Sequence, residues 1–392
     1  MSERGSTLGS HRLEIVLAED RHAPELAEFF RQVWSPLATK ESVLAARGEA
    51  AAANVAEPGV APPTWIALGG NRVLGYVTTI PIRIWDGRDD RPAYWIKGLM
   101  VLPEVRNGPI GYAILKAAVA RLPRTGALAA AAPALRLFTA LGYSDLGPIP
   151  NWILAVAPHR VLKRLNLTGL GLARVPRWAP SALRFGQTTG LATAMGWTGG
   201  VVMGAARAAL RAPGRGLRAG PFDAAAAGAE LDALWRLVRD GTPTAVVRDA
   251  RYLLQRYEPG AASPYEWVAV HRNGDLAGVA VLRRPRVDSD ARLSGIRVAV
   301  LADLLYDPRR PGTGLALLGA IERAARRLDA DAILASCSTP ALARLLRSQL
   351  YWALPGNVHF LFRDVSGEPA PVGRSLEDWW LTRGDGHSDE SF

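Results

Sequence analysis

The segment Asp307-Pro308-Arg309-Arg310-Pro311-Gly312-Thr313-Gly314-Leu315 sets two arginines and two glycines ahead of a stretch with helical apolar spacing. Glycines let a backbone approach a ligand closely, the first amides of a helix have no partner inside it, and its dipole favours an anion there. Arg309 and Arg310 add forked donors for phosphate. The combination suits a pyrophosphate. Asp303 lies in the apolar run 298–305, where an acid is either functional or a hydrogen-bonded strand residue. Cys337, the single cysteine, reads as a small buried apolar residue. Six scattered histidines form no H-x-x-x-H pair, and no metal is expected.

Charge says less than its size suggests. The 47 basic and 36 acidic residues leave a formal +11, which raises nucleic acid, anionic membranes and phosphorylated ligands as partners. Only Lys40, Lys97, Lys116 and Lys163 are lysines, and the chain is rich in alanine, glycine and proline. That profile points to a GC-rich genome and discounts the charge as a functional signal, and DNA is not expected. Residues 185–206 carry no charge, but their glycines and threonines make them less apolar than a spanning helix. A buried or interdomain helix is the expectation there, membrane contact the alternative. Residues 1–11 show no secretory signal, so a cytoplasmic location is expected.

Elements that would position these groups repeat along the chain. In the first half, strand patterns at 13–17, 65–68, 73–84 and 94–101 are joined by a helix at 24–33 and followed by a helix at 110–121. A short apolar stretch at 127–132, a helix at 133–141 and a strand at 152–156 complete the unit. The second half runs helix 229–239, hairpin 267–271 and 276–282 turned at Asn273-Gly274, strand 296–306, helix 315–328, strand 332–335, helix 340–350 and strand 358–362. Two copies of one α+β unit, each a mixed twisted sheet flanked by helices, is the economical reading. The boundaries are 1–160 for the first domain, 161–221 for a helical Arg/Pro/Gly-rich connector, 222–366 for the second domain and 367–392 for a tail.

The order strand, Pro-x-x-Arg loop, helix, strand, helix ending in Leu-Gly-Tyr resembles the Gcn5-related N-acetyltransferase (GNAT) superfamily, and two copies resemble its tandem members. The first copy reads Val101-Leu102-Pro103-Glu104-Val105-Arg106-Asn107-Gly108-Pro109-Ile110-Gly111, then Leu141-Gly142-Tyr143. The stretch from Val247-Arg248-Asp249 to Arg256-Tyr257 and the end, Asp378-Trp379-Trp380 to Asp385, resemble tandem members found near bacterial polysaccharide genes. Trp379-Trp380 are read as docking the tail rather than stacking on sugar.

The resemblance implies transfer of an acyl group from acetyl-CoA or another acyl-CoA directly to an amine, with an amino sugar as the guess for acceptor. The phosphates would lie on Arg309, Arg310, Gly312, Thr313, Gly314 and Leu315, and the pantetheine arm along Leu304 and Leu305. Asp303 would be the base and Tyr351 the acid that protonates the thiolate, with Tyr306 in reserve. The first copy departs from the pattern. Pro109 replaces a loop glycine and removes an N–H, Phe138 stands where active members carry a tyrosine, and Lys97-Gly98 offer no acid. A structural or acceptor-binding first domain and a catalytic second one are therefore expected. Two other readings stand beside this one: a Fem-like aminoacyl transferase using aminoacyl-tRNA, and a non-catalytic binding or scaffolding module.

Overall fold

The computed structural model describes residues 13–129, 131–166, 176, 178–210, 216–242, 244–287, 293, 295–367 and 373–390. In chain order they form β1 (Leu13–Leu17), α1 (Ala23–Val33), α2 (Lys40–Ala52), β2 (Thr64–Gly69), β3 (Arg72–Trp85), β4 (Asp90–Val101), α3 (Ile110–Val119), β5 (Arg124–Ala129), α4 (Ala132–Ala140), β6 (Ser144–Pro148) and β7 (Asn151–Ala155). Then come α5 (Pro158–Arg164), α6 (Ala179–Thr188), α7 (Leu191–Leu210), β8 (Leu217–Pro221), α8 (Gly228–Arg239), β9 (Thr244–Val246), α9 (Ala250–Arg256), β10 (Tyr265–Arg272), β11 (Asp275–Val287) and β12 (Arg297–Tyr306). The last elements are α10 (Pro311–Arg327), β13 (Ala332–Ser336), α11 (Pro340–Ser348), β14 (Trp352–Leu354), β15 (His359–Asp364) and β16 (Trp379–Trp380). Most of this follows the apolar spacing of the sequence. Where it does not, the local pattern is weak: α2 is alanine-rich, buries Val43 alone, and starts on a Thr39/Ser42 capping box.

Two compact units divide the described residues, one within 1–83, 92–145 and 360–369, the other within 84–91, 146–359 and 370–392. The sheet of unit 1 runs β1-β2-β3-β4-β5-β15-β6, and that of unit 2 runs β14-β7-β13-β12-β11-β10-β8. This corrects the contiguous division into 1–160 and 222–366. The strand expected to close the first copy, β7, pairs antiparallel with β13 and β14 in unit 2. Its counterpart β15 lies between β5 and β6 in unit 1. Each half of the sequence thus lends one strand to the other half's sheet.

The exchanged strand is packed as a native member of unit 1. Leu361 is fully buried with Ile114, Leu115 and Phe138, and the Phe360 ring lies 5.7 Å from that of Trp95. Arg124 of β5 is buried and pairs with Asp364 at 3.0 Å, while its other arm donates to Ser366 at 2.7 Å. In unit 2, α5, α6 and α7 form the helical connector. Among the described residues no helix is long and apolar enough to cross a membrane.

Candidate functional site

Unit 2 contains the residues expected to act, and it encloses them. β12 pairs in parallel with β13 from Val298–Ala332 to Leu301–Ala335, and then the two strands part. In an acyltransferase of this architecture a parting of strands is where a pantetheine arm would run; here the chain's own tail runs there. Gly384 donates its amide to the Ala302 carbonyl at 2.7 Å, Thr382 forms a bridge with Cys337, and Leu381 donates to Ser338 Oγ at 2.8 Å. The tail is held further by Trp379 and Trp380, which pair with Thr244 and Ala245 and are buried. Only glycine fits at 384, since a Cβ would stand 1.9 Å from the Tyr257 hydroxyl.

Asp303 is 2% exposed and fully engaged. It accepts from Arg248 Nε at 2.9 and 3.1 Å, from Tyr257 Oη at 3.2 Å and from the Leu304 amide at 2.8 Å. Arg248 also donates to Asp385 at 2.8 Å, and Thr382 Oγ1 lies 3.3 Å from both carboxylates. Burial disfavours the charge on Arg248, but Asp303 and Asp385 outweigh it and keep the guanidinium firmly protonated. Asp385 itself is pushed up by desolvation, against the pull of Arg248. A second ring, Arg256 with Asp389 and Tyr265, anchors the end of the tail. The segment resembling polysaccharide-linked members is therefore the clamp for this tail.

The other expected residues are also in place but differently employed. The helix starts at Pro311, so Gly312, Thr313, Gly314 and Leu315 belong to its first turns instead of a loop. Gly314 is a packing glycine, because a Cβ there would meet Leu345 at 2.7 Å and Tyr306 at 2.9 Å. Arg309 and Arg310 answer Asp307 at 2.9 and 3.6 Å. Desolvation would raise the Asp307 carboxyl, yet the Arg309 bonds hold it below its usual range, so this loop carries its own anion. Leu304 and Leu305 are buried against β11, opposite Ala280 and Val279. Tyr351 and Tyr306 are buried, and desolvation raises the phenol of Tyr306 well above its ordinary value. Cys337 is buried too, its thiol pushed up to about 12, as suits an inert side chain.

Unit 1 has the same junction without the contents. β4 pairs with β5 from Tyr94–Thr125 to Ile96–Ala127, then continues to Val101. Matching the last pairs, Ile96–Ala127 with Leu301–Ala335, puts Gly98 at the place of Asp303 and Leu102 at that of Asp307. Gly98 has φ +66 and no side chain to take the next amide. Residues 97–100 are half-exposed, where 302–305 are buried. Beyond them α3 begins at Ile110 with Pro109 as its N-cap. The missing N–H of Pro109 is thus the cap's, and the amides of Ile110, Gly111 and Tyr112 remain as first-turn donors. Arg106, beside them, is exposed and has no ion-pair partner among the described residues.

Behind Gly98 lies a group that sequence reasoning passed over. A Cβ on Gly98 would stand 3.4 Å from Tyr76 Cε1 and 3.7 Å from Thr78 Cγ2. Thr78 shares a 2.8 Å hydroxyl contact with Thr64, its cross-strand partner, and all but Thr64 are half-exposed. Burial raises the Tyr76 phenol, with Thr78 opposing. Alternation along the β2–β3 hairpin is the signal that would have grouped these hydroxyls on one face. Phe138 is a core residue, edge-on to Tyr143 at 4.9 Å. Tyr143 and Tyr351 occupy matching places after their helices, each amide bonded back to Phe138 or Leu346. Leu350 takes the left-handed conformation that Gly142 takes in unit 1, with φ 61 against 84.

Comparison with known proteins places these observations. Residues 25–143, the first copy, match the family model described as Acetyltransferase (GNAT) family. A search of curated proteins gives no match. Among solved structures, a protein of Enterococcus faecalis V583 described as a probable N-acyltransferase is 12% identical, with TM-score 0.55 over 91% of this chain and 73% of that one. GCN5-related N-acetyltransferases from Kribbella flavida (13% identity, TM-score 0.54, 91% and 72% covered) and Anabaena variabilis ATCC 29413 (12%, 0.55, 90% and 73%) have the same fold. Residues 25–143 are therefore a domain of the GNAT acetyltransferase family, in a chain with the α+β fold of GNAT N-acetyltransferases.

Proposed function

We propose that the chain is an acyl-CoA-dependent N-acyltransferase whose cofactor site is in unit 1, the copy expected from sequence to be structural. The observation that carries this is the contrast between the half-exposed edge of β4 after Ile96 and the tail-filled edge of β12 after Leu301. Arg106 and the amides of Ile110, Gly111 and Tyr112 would receive the pyrophosphate of the acyl-CoA. The β4 edge beyond Gly98 would pair with the pantetheine arm.

The amine attacks the thioester carbonyl, a C–N bond forms, the C–S bond breaks, the nitrogen loses a proton and the thiolate gains one. Catalysis of such a step needs chiefly alignment of the two reactants. Tyr76 and Thr78, behind Gly98, are the hydroxyls that would orient the amine, and Tyr76 stays protonated at neutral pH. Asp303 is assigned to the tail clamp, and Phe138 leaves no acid at the family's tyrosine position. The acceptor is a small amine. An amino sugar is the acceptor suggested by the resemblance of residues 247–257 and 378–385 to polysaccharide-linked members.

Titration calorimetry of acetyl-CoA and CoA against the full chain tests the assignment. One site is expected, lost in Gly111→Glu and kept in Gly312→Glu. A Cβ at 111 meets only Val101, at 3.6 Å, and one at 312 meets nothing within 4 Å, so both variants keep the fold. Binding lost in Gly312→Glu and kept in Gly111→Glu, or no binding at all, overturns it.

A further inference from the structure

α7 has two apolar faces, whereas a helix on a protein surface ordinarily has one. The inner face is fixed. A Cβ on Gly196 would lie 2.4 Å from His159 Cα, Gly200 sits on Pro158, and Arg207 is buried in a 2.8 Å ion pair with Glu322 of α10. The outer face carries Leu191, Met195, Val201 and Val202, each more than half exposed; Trp197 at its margin stacks on His159 at 4.2 Å with much of its ring still exposed, and Phe185 of α6 is exposed as well. No charged residue interrupts it between Arg184 and Arg207. An exposed apolar face of this extent, held rigidly, marks a contact surface.

The surrounding charge selects the occupant. No aspartate or glutamate occurs between Asp145 and Asp223, although acidic residues are spread through the rest of the chain. Within that interval Arg160 and Arg164 are committed to Asp329 and Asp331. Lys163 of α5 and Arg184 of α6, on the two helices packed with α7, are exposed and have no ion-pair partner among the described residues. Apolar side chains bordered by tryptophan and by cations, with Asp329 and Asp331 beside α5 already paired to Arg160 and Arg164, match an anionic lipid surface. RNA would be met by stacked aromatics and many cations, not by a Leu/Met/Val face.

We infer that the outer face of α7 docks on the surface of a bilayer containing anionic phospholipid, with the helix lying in the interfacial plane. The contact is peripheral, since no described helix can span.

Flotation of the full chain with phosphatidylcholine vesicles, with and without phosphatidylglycerol, tests this without reference to acyl transfer. The wild type is expected to float with the anionic vesicles and to be released by salt. Met195→Asp with Val202→Asp should weaken partitioning by about tenfold or more. Both side chains are exposed, so the variant should keep the wild-type unfolding temperature. Lys163→Glu with Arg184→Glu should remove the preference for phosphatidylglycerol. A wild type that floats with neither vesicle, or a Met195→Asp/Val202→Asp variant that floats like the wild type, overturns the inference. So does a dimer in sedimentation that this variant dissolves, or retention of tRNA, when vesicles are not bound.

Discussion

After Ile96 in unit 1 the residues of β4 are half-exposed and α3 follows with its first-turn amides, whereas after Leu301 in unit 2 the matching stretch of β12 is buried against the chain's own tail. A strand that leaves its neighbour exposes backbone donors and acceptors that must be satisfied by something. The two units answer that demand differently. Unit 2 uses residues 379–390, an aspartate at 303 and a buried arginine, and gains a rigid scaffold; unit 1 has glycine at 98 and half-exposed residues along the matching stretch. The acids and arginines of unit 2 serve each other, and the sparser site in unit 1 is the one proposed to accept a cofactor.

Breaking the clamp tests the comparison most severely. Arg248→Ala would strand two buried carboxylates and is expected to destabilise the protein by about 3–5 kcal/mol, measured by urea denaturation. Asp303→Asn, by contrast, should leave transfer to an amine within about twofold of wild type per folded molecule. A much larger loss of kcat with an unchanged KM would return the base to unit 2. Next in size, Gly111→Glu is expected to weaken CoA binding by about 100-fold, equivalent to ~2.7 kcal/mol, while Gly312→Glu leaves the calorimetric Kd unchanged. Arg106→Ala should cost about tenfold in Kd, or ~1.4 kcal/mol, and Arg309→Ala nothing, because Arg309 already answers Asp307. Smallest is the helix-end pair. Gly142→Leu should lower stability by about 1 kcal/mol, and Leu350→Gly should raise it by less than that, the relief of its left-handed backbone being offset by lost packing; thermal unfolding reads both.

Much of this was legible locally. The hairpin at Asn273-Gly274 and the amphipathic α1 and α10 announce themselves through turn chemistry and spacing. Pro311 at the first helical position was a readable sign that Gly312 and Gly314 lie inside α10. The site was less legible because its meaning depends on distant partners. An aspartate in an apolar strand looks alike whether it waits for a substrate or for Arg248, 55 residues earlier in the chain. Likewise β7 and β15 are both short apolar strands, and nothing within either segment says which sheet it will join. Gly98 and Pro109 depart from the family's motif, and a motif does not say that Pro109 is the N-cap of α3 or that Gly98 has a positive φ.

The exchanged strand has a consequence for synthesis. Unit 1 holds β1 to β6, yet it cannot complete its sheet until the ribosome has made β15, more than two hundred residues after β6. Such pairings of high sequence separation form slowly, and the open gap between β5 and β6 is an unpaired edge meanwhile. Unit 1 is therefore predicted to be the last part of the molecule to mature, and stopping translation after residue 145 is not expected to yield it folded. An expressed 1–145 fragment should be aggregation-prone, and supplying a peptide spanning 357–367 should be the specific remedy.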